Sequence, residues 1–201
     1  MVETAAQIGV LPHGFYSRPT TEVARALLGK VIVHQVDGEE LAGKIVEVEA
    51  YLGLKDEAAH AFVGITPRTK VMFGPPGHAY VYLIYGMYHC LNLVTEPDGE
   101  AGCVLIRALE PVAGIEAMQA HRPKARRPHD IASGPGKLTR AIGITLAHYG
   151  ADVTRGALTV REDAGASLFE IGTSPRIGIK KCVDWPLRFF VKGNAHVSKG
   201  G

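Results

Sequence analysis

Residues Ile45–Tyr51 are the stretch of sequence that most constrains the fold, because acidic and apolar side chains alternate with the period of a β-strand. Successive side chains of a strand point to opposite faces, so Glu47, Glu49 and Tyr51 are predicted to share one face. Ile45 is expected on that face as well. The face otherwise looks buried, and a buried carboxylate costs free energy unless it is paired. The two acids therefore predict either buried ion pairs or a catalytic site.

Aromatic residues follow this strand at short range. His60 lies nine residues after Tyr51, and tyrosine occupies positions 80, 82, 85 and 88. Flat rings next to a carboxylate suit a planar, nitrogen-rich ligand that is attached to a sugar, because the rings can stack on the ligand. The carboxylate can then act at the bond between the ligand and the sugar. The pattern predicts a site for such a ligand.

The composition predicts a soluble, globular protein. The chain has 201 residues, of which 46% are hydrophobic and 21% are charged. This length favours one domain, spanning residues 1–201, that is large enough to bury a core without disulfides. The net charge is +2, so any attraction to nucleic acid must come from a local patch of positive charge.

Several classes of protein are not expected from the sequence. Cys90, Cys103 and Cys182 form no C-x-x-C pair, and the nine histidines form no metal-binding motif, so neither a metal site nor a disulfide framework is expected. The sequence also has no signal segment and no apolar run of about 18 residues. We therefore expect an intracellular protein without a membrane partner. We also expect it to be a monomer.

The pattern of secondary structure predicts an α+β fold, a single domain around a curved, mainly antiparallel sheet with short flanking helices. Strands dominate and do not alternate regularly with helices. Residues 52–70 show little regular pattern and are expected to form a long functional loop, and residues 121–130 a basic loop. Helices are predicted at 19–28, 112–121 and 137–144, and strands at 30–34, 44–51, 79–85, 87–95, 102–109 and near 157–161, 167–171 and 186–191.

Several ordered motifs resemble those of the alkyladenine, or methylpurine, DNA glycosylases. They are Val48–Gly53, Asp56–His60, Thr66–Arg68, Pro76-Gly77 with Tyr80–Tyr82, Tyr85–Tyr88, Asn92, Val104–Pro111 and Ser133–Leu138. The resemblance extends from about residue 12 to Ser198. It implies a monofunctional enzyme that removes damaged purines from duplex DNA, has one α+β domain and uses neither metal nor cofactor.

The resemblance gives the acidic strand a catalytic role. Cleaving an N-glycosidic bond builds positive charge on the sugar, which a carboxylate can stabilise while it accepts a proton from the attacking water. Glu49 matches the glutamate that does this in the family, and Arg107 and Val197 match residues that help to hold the water. Glu47 matches no catalytic position, so we expect it to be structural and to pair with a buried base.

The resemblance also predicts a base pocket. An enzyme can attack the sugar carbon of a nucleotide only after swinging that nucleotide out of the duplex. Tyr51 is expected to stack on one face of the flipped purine, and His60 and Tyr82 on the other. Asn92 is expected near the floor of the pocket, where its side chain would crowd the 2-amino group of normal guanine.

The tyrosine-rich segment and several basic residues are predicted to contact DNA. Tyr85 precedes Gly86 at an expected hairpin tip, and the resemblance implies that it fills the gap left by the flipped nucleotide. Met87 and Tyr88 would support it. The candidates for backbone contacts are Arg68, Lys70, Lys137 and Arg140. Whether the basic loop 121–129 contacts DNA or is merely solvated stays open.

Three residues depart from the family pattern. Thr69 stands where we expect asparagine, Ile65 where polar or basic residues are usual, and His196 where an aromatic or different residue is expected. These positions bear on DNA contacts and on the position of the water. They affect the expected range of substrates more than the reaction.

Two other functions fit parts of the sequence. Hydrolysis of a free nucleoside or nucleotide would use the same acid and rings, but it needs neither Tyr85 as a wedge nor Arg68 and Lys137. A non-catalytic nucleic-acid-binding module would use the rings for stacking. That reading leaves Glu49 unexplained, because a carboxylate repels phosphate.

Overall fold

The computed structural model describes residues 9–165 and 168–198 as four short α-helices and eight strands. The helices are α1 (His13–Tyr16), α2 (Thr20–Leu27), α3 (Ile115–His121) and α4 (Pro135–Ala141). The strands are β1 (Val31–Val36), β2 (Glu39–Tyr51), β3 (Ala79–Ile84), β4 (Tyr88–Val94), β5 (Cys103–Ala113), β6 (Leu158–Arg161), β7 (Ile171–Ser174) and β8 (Arg188–Val191).

All eight strands belong to one sheet in which every paired strand is antiparallel to its neighbour. The main order is β3-β4-β5-β2-β1-β6, while β8 pairs with both β2 and β7. The long strands β2 and β5 lie at the centre. This arrangement confirms the predicted α+β class with a mainly antiparallel sheet.

Most predicted elements occur where the sequence places them, with shifts that have local causes. Helix α3 begins at Ile115 and not at 112, because β5 continues to Ala113. Helix α4 begins earlier than predicted because Pro135 suits the first turn of a helix. The strand predicted near 167–171 was misplaced: it spans Ile171–Ser174, in register with β8, and residues 166–167 lie outside the described part. Loop 52–70 contains short 3₁₀ turns.

Two compensating bulges in the β2–β5 pair decide which side chains face the site. Ile45 pairs with Leu109, Glu47 with Ala108, and Val48 with Ile106, so Val46 on β2 and Arg107 on β5 each lack a partner across this pair. A bulge changes the alternation of a strand and redirects side chains. The expectation that Ile45 shares a face with Glu47 is therefore wrong: Ile45 packs in the main core.

Beyond the bulges the alternation is regular on the four strands that carry the site. One face of the sheet packs on α2, α3 and α4 through the main core, to which β2 and β5 contribute Val48, Ala50, Val104 and Ile106. The opposite face carries a smaller cluster that includes Tyr80, Val94 and Cys103. Tyr51 and Tyr82 pack against this second cluster, which places the predicted site residues on the face away from the helices.

Gly53 begins the loop that leads to His60, and its place has no room for a side chain. A Cβ atom there would lie 1.9 Å from the carbonyl oxygen of Ala101, and its φ is +64°. Gly86 has a similar φ of +68° but no atom within 4 Å of the added Cβ. The loop therefore depends on Gly53 for two reasons: its backbone passes close to Ala101, and its φ is positive.

Gly53→Ala should destabilise the protein more than Gly86→Ala. Both changes place a side chain at positive φ, which costs on the order of 1 kcal/mol, but Gly53→Ala also forces the backbone of the loop away from Ala101. Urea denaturation of the two variants measures the difference. Equal free energies of unfolding would show that the approach of Ala101 imposes no constraint.

Candidate active site

A cavity of about 860 Å³ opens on the face of the sheet that carries the tyrosines. Strands β2 to β5 supply its floor and part of its walls, the loop 57–68 and the segment 177–181 supply the other walls, and the start of α4 supplies part of its rim. Among the predicted site residues, those that line it are Tyr51, His60, Arg68, Tyr82, Tyr85, Tyr88, Asn92, Arg107 and Lys137. The fold thus brings together most residues that the sequence singled out.

Glu47 lies at the centre of a buried ion-pair network. Arg107 Nε and Arg188 Nε donate to its Oε1 at 2.8 and 2.7 Å, and the Ser198 amide donates to its Oε2 at 2.6 Å. Burial alone would raise the pKa of Glu47, but these partners outweigh burial and lower it. The expectation that Glu47 pairs with a buried base is confirmed.

Glu49 is equally buried but differs in its charge environment. Ile177 N–H donates to its Oε1 at 2.7 Å, Tyr51 O–H donates to its Oε2 at 2.9 Å, and Arg107 Nη1 lies 3.2 Å from Oε1. Burial raises the pKa of Glu49 even against these contacts. Glu49 is 0% exposed and lies directly behind Tyr51 and Arg107, which both line the cavity.

Three aromatic rings stand together on one wall of the cavity. The rings of His60 and Tyr82 meet edge to face, 4.6 Å apart, and Tyr80 lies 5.4 Å from Tyr82. The Tyr80 hydroxyl is within 2.8 Å of His60 Nδ1 and accepts a hydrogen bond from Arg68 Nε at 3.2 Å. Burial, with the nearby Arg68 cation, lowers the pKa of His60 to about 4, so its imidazole is neutral at pH 7.

Asn92 lies on the floor of the cavity and is held in one orientation. It is buried on β4 opposite Leu105 of β5, and its Nδ2 donates to the carbonyl oxygen of Tyr80 at 3.1 Å. Cys103 Sγ is 3.9 Å from its Oδ1. Because the neighbouring strand fixes this amide, Asn92 presents a rigid polar group to whatever enters the cavity.

Tyr85 projects from the hairpin between β3 and β4. Tyr85 and Gly86 have φ of +53° and +68°, and Met87 N–H donates to the Ile84 carbonyl oxygen, as in a turn of type I′. Positive φ is uncommon for a bulky residue and points to a functional constraint. The Tyr85 side chain is 82% exposed, and Met87 and Tyr88 beside it are exposed as well.

The predicted basic residues occupy different positions around the cavity. Lys137 lines the rim at the start of α4, whereas the Arg68 guanidinium lies 5.1 Å from the centre of the Tyr82 ring in the aromatic wall. Arg140 Nε donates to the carbonyl oxygen of His121. Within the described residues, the predicted site residues that do not line the cavity are Glu49, Lys70, Met87, Arg140 and Val197.

Similarity to known proteins shows the family of the chain. The family model of the methylpurine-DNA glycosylases matches residues 14–195. The chain belongs to this family. A relative from Methanocella arvoryzae, named "Putative 3-methyladenine DNA glycosylase", is 55% identical over 193 residues, with 94% of this chain and 96% of the relative covered.

Two further relatives of the same name are similar in extent. One from Alkaliphilus oremlandii and one from Bacillus cereus strain G9842 are each 50% identical, and the matches cover 94% of this chain and 98% of each relative. Family membership confirms the resemblance read from the motifs and the predicted class of enzyme, a DNA glycosylase.

Sequence reasoning missed several residues that line this cavity. Tyr80 was noted only as part of a tyrosine-rich run, yet its hydroxyl joins His60 to Arg68. The segment Ile177–Lys181 lines the cavity and carries the amide that binds Glu49. No local signal marks that segment, since only the fold brings it to β2. Arg122, within the basic loop whose role was left open, also lines the cavity.

The departures from the family pattern have distinct structural settings. Thr69 is buried, and its Oγ1 accepts from the Thr66 amide and donates to the Gly64 carbonyl oxygen, so it stabilises a turn. Ile65 is 71% exposed on the same loop. His196 lies with its ring 6.4 Å from that of His129, next to the basic loop.

Within residues 9–165 and 168–198, no helix is long and apolar enough to span a membrane. The same part of the chain contains no group of three or more histidine, cysteine, aspartate or glutamate residues placed to hold a metal ion.

Loss of charge at the two buried glutamates should affect stability differently. Glu47→Gln should lower the free energy of unfolding by about 3 kcal/mol at pH 7, because it leaves Arg107 and Arg188 facing a neutral amide. Glu49→Gln should leave stability unchanged or raise it, because the folded state penalises the charged form of Glu49. Urea denaturation at pH 7 and in acid measures both.

The direction of each pKa shift sets the pH dependence. The lowered pKa of Glu47 gives stability that is present above the ordinary value of 4.5 and is lost as the pH falls through the lowered value. The raised pKa of Glu49 imposes a cost above that raised value, and the cost disappears below 4.5. In acid, the free energy of unfolding of each variant should therefore move closer to that of the wild type. Equal effects of the two substitutions at pH 7 would contradict this assignment.

Proposed function

We propose that this protein is a monofunctional DNA glycosylase that flips damaged purines out of duplex DNA and hydrolyses their N-glycosidic bond, the first step of base excision repair. One observation carries the proposal: an aromatic cavity ends at a buried carboxylate that two cavity-lining side chains contact directly. Membership of the methylpurine-DNA glycosylase family supports it. The names of the relatives make 3-methyladenine one candidate substrate.

The proposed chemistry uses Glu49 as the general base. As the bond between the sugar and the base breaks, the purine leaves with the bonding electrons and positive charge develops on the sugar. Water bonds to the anomeric carbon, and Glu49 accepts its proton. Within the described residues, Oε2 of Glu49 accepts one hydrogen bond, from Tyr51, so it has capacity for a second. Arg107, on the cavity floor, and Val197 would hold the water.

The cavity suits an electron-poor purine. Tyr51 would stack on one face of the flipped base, and His60 and Tyr82 on the other. Because the pKa of His60 is about 4, its neutral ring does not repel the positive charge that alkylation places on a purine. Asn92, fixed by the Tyr80 carbonyl oxygen, would crowd the 2-amino group of normal guanine. Alkylated, deaminated and etheno purines are the proposed substrates.

The surface around the cavity suits duplex DNA. Tyr85, at the exposed hairpin tip with Met87 and Tyr88, would enter the space that the flipped nucleotide leaves. Lys137 on the rim, and Arg68, Lys70 and Arg140 around it, would contact phosphates. A free nucleoside would use neither the hairpin tip nor these cations. We therefore propose double-stranded DNA as the partner of a protein that acts as a monomer inside the cell.

The direct test is release of a damaged base from a duplex. Wild-type protein is incubated with duplexes that contain hypoxanthine, ethenoadenine or 3-methyladenine, and alkali then cleaves the strand at any abasic site. Cleavage at the lesion supports the proposal. Intact strands, together with hydrolysis of the corresponding free nucleosides, would instead favour a nucleoside hydrolase, and binding without either reaction a non-catalytic module.

Glu49→Gln should retain binding to the lesion while single-turnover release of the base falls by at least about 100-fold, the usual scale for loss of a general base. The substitution keeps the shape of the side chain but removes the proton acceptor. Glu40→Gln, at the exposed start of the same strand, serves as the control and should release the base at the wild-type rate. Near-normal release by Glu49→Gln would exclude Glu49 as the base.

Tyr85→Ser should slow release most where the target base is well paired, and least where it is mismatched. A ring at the hairpin tip replaces the stacking lost when the nucleotide leaves, and that loss costs a few kcal/mol, least for a weakly paired base. Single-turnover rates on one lesion opposite matched and mismatched partners measure the effect. A loss of the same factor in both contexts would remove Tyr85 from the role of wedge.

A further inference from the structure

Arg176 is a fully buried cation that the proposed reaction leaves without a role. Its side chain and that of Asp56 are both 0% exposed. The two form a bidentate pair, in which Nη2 donates to Asp56 Oδ1 at 2.9 Å and Nη1 to Oδ2. Its Nε is buried and has no hydrogen-bond partner among the described residues. Burying an arginine with an unsatisfied nitrogen costs free energy, so its burial beside the cavity calls for a reason.

The contacts of Arg176 converge on the stacking tyrosine and the proposed base. Its Nη1 donates to the carbonyl oxygen of Ala50 at 3.0 Å, between Glu49 and Tyr51 on β2. Its guanidinium lies over the Tyr51 ring, 4.6 Å from the ring centre. Tyr51 lines the cavity and Arg176 does not, which places Arg176 behind the ring. The next residue, Ile177, donates its amide hydrogen to Glu49.

Asp56 extends this set of contacts to the loop that carries His60. It accepts hydrogen bonds from the amides of Leu52 and Ala58 at 3.1 and 3.0 Å, and so closes the loop that ends at His60. Arg176 therefore connects the strand that carries Glu49 and Tyr51 to the loop that carries His60. The two proposed walls of the base pocket are tied to each other through one ion pair.

We propose that Arg176, held by Asp56, is a positioning residue that fixes the Tyr51 ring against the flipped base and orients Glu49 through Tyr51 and the Ile177 amide. This inference rests on the proposed function. Arginine suits the role because its planar fork can bind a carboxylate, donate to a backbone carbonyl and stack on a ring at once. A lysine ammonium can pair with Asp56, but it offers no planar surface to Tyr51.

Two variants distinguish a role of Arg176 in positioning Tyr51 and Glu49 from a role in the stability of the fold. Arg176→Lys keeps a positive charge beside Asp56 and removes the planar fork. The double variant Arg176→Met with Asp56→Asn removes both charges, which avoids leaving one buried charge alone. Arg161→Gln is the control. Arg161 lies on β6, at the edge of the sheet far from β3, and pairs with Glu40 at the start of β2. Thermal unfolding of all three gives the folded fraction.

The first measurement is single-turnover release and binding on lesion and undamaged duplexes. Both Arg176 variants should release the base at least about 10-fold more slowly per folded molecule, since small displacements of reacting groups cost one to two orders of magnitude. Their preference for lesion over undamaged duplex should fall as well. Affinity for undamaged duplex and its salt dependence should stay at the wild-type level, because no phosphate contact changes.

The second measurement is titration of Glu49 by carboxyl-carbon NMR without DNA. Tyr51 and the Ile177 amide both favour the charged form of Glu49, so displacing them should raise its apparent pKa in the double variant. A titration identical to wild type, or wild-type release per folded molecule in both Arg176 variants, would overturn the inference. Failure of wild-type protein to release any damaged purine would overturn the proposed function instead, and the titration would still decide the position of Glu49.

Discussion

The site depends on a balance of buried charge beneath the cavity. Glu47, Glu49 and Asp56 are matched by Arg107, Arg188 and Arg176, and all six side chains are buried. Glu47 accepts short charged hydrogen bonds from both Arg107 and Arg188, and its pKa is lowered. Glu49 receives weaker compensation and its pKa is raised. Two neighbouring acids of one strand thus differ in how strongly the fold stabilises their charge, as the proposal of one structural and one catalytic glutamate requires.

This balance is possible because the β2–β5 pair is irregular. The unpaired Val46 and Arg107 shift the alternation, so that Glu47, Glu49 and Tyr51 leave the face to which Ile45 belongs. Without the bulges, Ile45 would lie on the same face as Glu47, Glu49 and Tyr51, because a shift of one residue exchanges the two faces of a strand. Either Ile45 would leave the main core or the two acids would enter it. The same irregularity lets Arg107 contact both Glu47 and Glu49 while it lines the cavity.

Family membership and the geometry of the cavity bear on different questions. The match to methylpurine-DNA glycosylases establishes the class of enzyme. The cavity offers such an enzyme means to recognise its substrate: an aromatic lining, a neutral His60 and a fixed Asn92. Thr69 and Ile65, which depart from the expected family pattern, lie on the loop that follows His60: Thr69 is buried and stabilises a turn, and Ile65 is exposed.

The sequence by itself determined the antiparallel α+β class, the strand with its two acids, the tyrosine hairpin and the family. Each of these features follows from local periodicity or from residues that are close together along the chain. Tertiary structure alone decided the bulges that turn Ile45 away, the role of Tyr80 between His60 and Arg68, and the approach of Arg176 and Ile177 to β2. Arg176 and Ile177 are more than 100 positions away from the β2 residues that they contact, and no local pattern of side chains encodes a pairing across that distance.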